Sequence, residues 1–119
     1  MARGRKHHRL KAWQKGIRFV QSVYALTAHF PAEEKYGLTS QLRRAAVSVP
    51  SNIAEGAGRE SSKDFLRFLA QARGSLCEVE TQAIIARELG YVTDLEKLAM
   101  EMDELFALIG GLMNSLREE

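Results

Sequence analysis

Cysteine is almost missing from this chain. Cys77 is the only one, so no intramolecular disulfide can form, and no motif of metal-ligand spacing surrounds it. It is expected to pack as a small apolar residue in a reducing compartment. Long apolar runs are missing too. No window approaches 18 consecutive apolar residues, and no apolar run of signal-peptide length follows the basic start, so the expected location is cytoplasmic and no membrane partner is expected. Histidine is scarce: His7, His8 and His29 lie outside the Glu-x-x-His spacing that di-metal carboxylate bundles require. Ser48, Ser51 and Ser75 have no histidine base placed by pattern, and Gly56-Ala57-Gly58 lacks the strand and spacing of a phosphate-cradling loop. No catalytic residue, metal ligand or cofactor follows from the pattern. An acid–base arrangement of Glu55, Arg59 and Glu78 would need their convergence in one pocket.

What is present is an ordinary globular composition of 119 residues, 45% apolar and 27% charged, enough for one core and one domain. The charge is unevenly placed. Residues 1–73 hold 14 Lys/Arg against 5 Asp/Glu, and residues 74–119 hold 3 against 10, leaving +9 and −7 on the two halves. Either a basic surface meets an acidic partner such as nucleic acid, or complementary faces meet on folding or assembly. Arg3, Arg5, Lys6, Arg9, Lys11, Lys15 and Arg18 cluster in the first 18 residues without one acidic residue. They are the candidate phosphate-contacting surface. Residues 1–8 lack apolar anchors and read as a basic flexible arm, with residues 9–119 as the single domain.

From residue 10 onward the apolar spacing is helical throughout. Leu10, Trp13, Ile17, Val20 and Tyr24 alternate three and four apart and predict helix one, up to Pro31. A second row, Phe19, Val23, Leu26 and Phe30, lies beside the first. Leu38, Leu42, Ala45, Val49 and Ile53 predict helix two, with a kink at Pro50, and the break belongs between Gly56 and Ser61. Ser61 is the predicted cap of helix three, which runs about 28 residues to a left-handed stop at Gly90. Thr93 with Glu96 predicts a capping box for helix four. There Leu95, Leu98, Met102, Leu105, Ile109, Leu112 and Leu116 keep a heptad, with Ala99, Phe106 and Met113 in a second row.

Four amphipathic helices with short connections predict an all-α, antiparallel up-down-up-down four-helix bundle. The doubled apolar rows assign Phe19, Val23, Ala99, Phe106 and Met113 to a homo-oligomer interface. A polar stripe runs along helix two through Gln41, Arg44, Ser48, Asn52, Glu55 and Arg59, and helix three carries a matching row that includes Arg67, Ser75 and Glu78. That stripe is either a groove for a phosphate, small ligand or partner chain, or a self-satisfied network that fixes helix register.

The stretch from Tyr36 to Glu80, with its blocks QLRRAAVSVPSNIAEGAGR and ARGSLCEVE, closely resembles the small four-helix-bundle proteins encoded by intervening sequences in bacterial large-subunit (23S) ribosomal RNA genes. LKAWQK and FPAEEKYGL extend the likeness over nearly the whole chain. The resemblance implies a four-helix bundle that assembles as a ring-shaped homopentamer. A looser likeness in fold reaches the accessory proteins of diversity-generating retroelements, which bind nucleic acid and a reverse transcriptase. On the matching motif, the resemblance marks Gln41, Arg43, Arg44, Ser48, Asn52, Glu55, Gly56, Arg59, Ser75 and Glu78 as candidates for a shared interface or binding surface. Arg43, off the polar stripe, is expected to face a ligand or a neighbouring subunit. The expectation is therefore a non-catalytic homo-oligomer that binds RNA or DNA, or alternatively a protein-protein scaffold.

Overall fold

A computed structural model describes residues 4–119. Four α-helices account for most of them: α1 Lys11–Thr27, α2 Leu38–Ala57, α3 Ser62–Glu88 and α4 Glu96–Arg117. Short 3-10 turns at Lys6–Arg9 and Ala32–Glu34 precede α1 and α2. Among the described residues there is no strand. The long axis of 46 Å is set by α3, whose 27 residues span about 40 Å at the helical rise.

Each helix packs on its neighbours in the chain, and α1 closes the ring against α4. The pairing shows their directions. Gln41 meets Gln82 and Ser48 meets Ser75, so residue numbers rise along α2 as they fall along α3. Gly16 lies against Pro50 while Arg43 reaches Thr27, which makes α1 and α2 antiparallel. Ser22 meets Glu101 and Lys15 meets Glu104, which does the same for α1 and α4. The bundle is thus up-down-up-down, as the short connections required.

Where helices stop follows local chemistry. Ser61 Oγ accepts the Asp64 N–H at 3.1 Å, the expected cap of α3. Gly90 adopts φ +83°, while the Tyr91 and Gly90 N–H groups bond to Ala86 and Arg87 carbonyls, closing the far end as a Schellman turn. At α4 the expected Thr93–Glu96 box does not form. Asp94 Oδ1 accepts the Glu96 N–H at 2.8 Å instead, because an acceptor nearer the first turn reaches it directly. Glu34 Oε1 accepts the Leu38 N–H at 3.0 Å to start α2, and its other oxygen accepts the Tyr91 hydroxyl at 2.9 Å, joining the two loops at that end. This bond holds the Tyr91 phenol protonated and raises its pKa above the ordinary value.

The core combines Phe19, Val23, Leu42, Val49, Ile53, Leu69, Leu76, Leu105, Ile109 and Met113, all essentially inaccessible. This corrects the interface expected from the doubled rows: Phe19, Val23 and Met113 are the monomer's own interior. On α1 the buried row is Ala12, Gly16, Phe19, Val23 and Thr27, while Ile17 and Tyr24 from the first row are exposed. The small residues decide the orientation. A β-carbon at Gly16 would sit 3.2 Å from Pro50 Cβ, so α1 turns its smallest side toward the proline ring. On α4, Phe106 is half-buried against the core and Ala99 is exposed.

Helix α2 runs unbroken through buried Pro50. The break between α2 and α3 falls at residues 58–61, within the expected interval, and Gly56 is a buried residue of the last turn of α2, where a β-carbon would lie 2.7 Å from Phe68 Cβ and 2.9 Å from Phe65 Cδ1. Glycine there permits the close approach of α2 and α3. Cys77, expected inside, is exposed on α3.

Candidate functional site

The basic start is partly folded. His8 Nδ1 accepts the Arg5 N–H at 3.2 Å and the His8 N–H returns to the Arg5 carbonyl, tightening residues 5–9 into a turn. The rings of His7 and His8 each lie 5.1 Å from Trp13. These contacts are the anchors that a reading of residues 1–8 as a flexible arm did not find. Desolvation, then repulsion from His8 and Arg5, lowers the His7 pKa below its ordinary value. Arg5, Lys6 and Arg9 remain exposed on the turn, and Lys11 is exposed in the first turn of α1. Arg3 lies outside the described residues.

Helix α1 begins without help. Its N-cap is Leu10, which offers no side-chain acceptor, and its first turn has no acidic residue. The partial positive charge of the helix start therefore adjoins a segment with Arg5, Lys6, Arg9 and Lys11, and no acidic side chain in the first turn offsets it. An anion placed there would relieve that repulsion.

The other expected phosphate contacts are used differently. Lys15 Nζ lies 3.6 Å from Glu104 Oε1, and Lys15 and Arg18 share a small cleft with Glu101 and Glu104. Folding thus sets part of the basic half of the chain against part of the acidic half. Arg43 Nε donates to Thr27 Oγ1 at 2.8 Å, its guanidinium reaches the Tyr24 carbonyl at 3.4 Å, and it stacks 4.4 Å over the Tyr24 ring. A cation at the C-terminal end of α1 offsets the dipole and satisfies a last-turn carbonyl. Arg43 thus clasps the end of α1 and stays half-buried.

The polar stripe divides into three parts. At its centre Ser75 Oγ donates to Ser48 Oγ at 2.9 Å, and Asn52 Nδ2 reaches the same hydroxyl at 2.9 Å and the Ser48 carbonyl at 2.8 Å. At one end Arg59 pairs with Glu55 at 3.1 Å and Arg67 with Asp64 at 3.5 Å, while both guanidinium groups stack on the Phe68 ring. Glu55 and Arg59 are thus spent on each other and do not converge with Glu78. The remaining part is an open cleft of ≈ 500 Å³ lined by Tyr36, Gln41, Arg44, Ser48, Ser75 and Glu78, among others. Tyr36, which the stripe spacing did not include, is 87% exposed there.

The model of the family described as 23S rRNA-intervening sequence protein matches residues 8–111. The chain belongs to this family. The match covers all of α1, α2 and α3 and most of α4; of the basic residues at the start it leaves out Arg3, Arg5 and Lys6 and includes Arg9, Lys11, Lys15 and Arg18. Comparison with curated proteins gives no match.

A second surface was not anticipated. Trp13, Ile17, Val20, Val47, Pro50 and Ala54 line an apolar groove of ≈ 340 Å³ between α1 and α2. Ile17 and Val47 are about two-fifths exposed there. The signal in the sequence was the first apolar row of α1, read as core. No group of three or more His, Cys, Asp or Glu side chains is placed to hold a metal ion among the described residues, and no helix among them is long and apolar enough to cross a membrane.

Proposed function

We propose that this family member acts as a non-catalytic, homo-oligomeric four-helix bundle that binds RNA or DNA through the basic turn ahead of α1. The observation that carries the reading is the uncapped start of α1, with Arg5, Lys6 and Arg9 exposed just ahead of it, Lys11 exposed in its first turn and no acidic residue in that turn. A cluster that raises its own electrostatic energy in the free protein is supported by an anionic ligand, and a nucleic-acid backbone supplies closely spaced phosphates. Arg3 belongs to the same proposed surface. Lys15 and Arg18 contribute less, because Glu101 and Glu104 stand beside them.

Assembly multiplies such a surface by the number of subunits, so modest contacts gain by multivalency. The ring of five subunits implied by the family likeness belongs to this proposal, as do a cytoplasmic location and contacts at Ala99 and Phe106. The apolar groove at Trp13, Ile17 and Val20 is the better interface, because Ile17 and Val47 in it stay about two-fifths exposed. Its presence also favours the alternative reading, a scaffold that docks another protein and binds no nucleic acid.

Labelled single-stranded and duplex RNA and DNA, titrated at low and near-physiological salt and followed by anisotropy, separate the two. The expected result is an affinity that survives physiological salt and falls steeply as salt rises. Alanine at Arg5, Lys6, Arg9 and Lys11 together should flatten that slope without changing the mass measured by light scattering. Absence of binding at both salts sinks the nucleic-acid reading and leaves the scaffold. Ile17→Asp should dissociate the oligomer while leaving the helical spectrum intact.

A further inference from the structure

The cleft between α2 and α3 holds opposite charges that do not meet. Arg44 and Glu78 both line it, yet among the described residues neither takes part in an ion pair. Glu78 has a single polar partner among them, the amide of Gln82 at a long 3.4 Å. Arg44 has no hydrogen-bond partner among them. One turn along from the two charges, the Ser48 and Ser75 hydroxyls also line the cleft, already bonded to each other. Tyr36 presents an almost fully exposed ring at the rim. The volume of ≈ 500 Å³ is in the range of small-molecule sites.

A ligand that satisfies this arrangement is flat, carries hydrogen-bond donors on one edge and carries acceptors on the neighbouring edge. Guanine has this pattern. Its N1–H and exocyclic amine donate side by side, matching the two oxygens of a carboxylate. Its O6 and N7 accept from a guanidinium fork, the pairing by which arginine reads guanine. Its face stacks on an aromatic ring. Uracil sets carbonyl oxygens beside its one N–H, where they would repel Glu78. Adenine and cytosine bring one amine next to a ring acceptor, which faces the carboxylate unfavourably.

We propose that the Tyr36, Arg44, Glu78 cleft binds a guanine base, stacked on Tyr36, with Glu78 on its donor edge and Arg44 on its acceptor edge. As a source of the base, single-stranded RNA rests on the nucleic-acid reading above; a free guanine nucleotide does not. The placement gives the phosphate-binding turn a partner: one surface holds the backbone without regard to sequence, and the other selects a base.

The test uses the whole chain. Short uridine-rich RNA with and without a single guanine is titrated by anisotropy, and guanosine and uridine monophosphates are titrated by calorimetry. The guanine-bearing strand should bind roughly tenfold tighter or more, and guanosine monophosphate should compete where the uridine nucleotide does not. Glu78→Gln, exposed and equally helix-compatible, should erase the preference while leaving affinity for the uridine strand. Tyr36→Ala should weaken guanosine monophosphate about fivefold or more.

Equal binding of both strands without nucleotide competition overturns the guanine site and leaves the nucleic-acid reading standing. So does a preference that survives Glu78→Gln. Binding of the nucleotide but of no strand upholds the site and overturns the nucleic-acid reading. Binding of neither overturns both.

Discussion

The α2–α3 seam and the α1–α4 seam both carry polar side chains across a helix interface, with different chemistry. Between α2 and α3 the contacts are neutral: Ser48 with Ser75, its hydroxyl also held by Asn52 of the same helix, and Gln41 with Gln82. Between α1 and α4 they are charged or half charged: Lys15 with Glu104, and Ser22 donating to Glu101 at 2.8 Å. The neutral seam is backed by glycine-tight backbone packing at Gly56. Its hydrogen bonds are directional and insensitive to salt, so they fix one register. The ion pair of the charged seam is solvent-facing, with Lys15 and Glu104 side chains 37% and 50% exposed, and a pair of that kind is screened and worth little. One seam specifies the fold; the other sets one basic residue of the first half, Lys15, against the acidic half.

The largest way to break this comparison is to enlarge Gly56. Gly56→Val should destabilise the bundle by about 1–3 kcal/mol, because the new atoms meet Phe65 and Phe68 rather than the tip of a flexible chain. Urea unfolding measures it, and an unchanged midpoint would show that α2 and α3 can separate freely. Next comes the hydroxyl network: Ser75→Ala should cost about 1 kcal/mol. A double-mutant cycle with Ser48→Ala should give a coupling that high salt leaves unchanged. Lys15→Met should cost less, about 0.2–1 kcal/mol at low salt, with the loss shrinking as salt rises. A salt-independent cost of the same size as that of Ser75 would erase the distinction between the seams.

The smallest effect lies at the basic turn. The His7 pKa is lowered in the folded turn, so the unfolded turn binds more protons just below the ordinary histidine pKa of about 6.5. Above that value both states are neutral and the packing is complete. As pH falls through it toward the lower folded value, the turn loses stability. Trp13 is the only tryptophan, so its fluorescence reports the change directly. His7→Phe should remove the pH dependence, and an unaltered profile in that variant would assign it elsewhere.

Helix number, direction and most stops were legible because they depend on local chemistry: heptad spacing in α4, Ser61 as a cap, Gly90 as a left-handed stop. The orientation of α1 was not, since two adjacent apolar rows satisfy the same period. What separates them is the small side chains Ala12 and Gly16 in line with Phe19 and Val23, and their meaning depends on Pro50 from another helix. The clasp made by Arg43 was not legible for a related reason. Its partners, Thr27 and Tyr24, belong to a helix end that only the fold brings within reach. The stripe was visible as a row, but which of its members bond to one another and which are left facing an open cleft depends on the register between α2 and α3. Tyr36, outside the stripe spacing, became notable only through its exposure.

The register of α2 on α3 also bears on how the chain folds. Residues 58–61 are a short connection, so joining these two helices closes a small loop at low entropic cost, well before α1 and α4 need to dock. The hairpin they form is the natural nucleus. Refolding rates should therefore fall with substitutions at Gly56 or Ser75, whereas changes at Lys15 should act mainly on the unfolding limb.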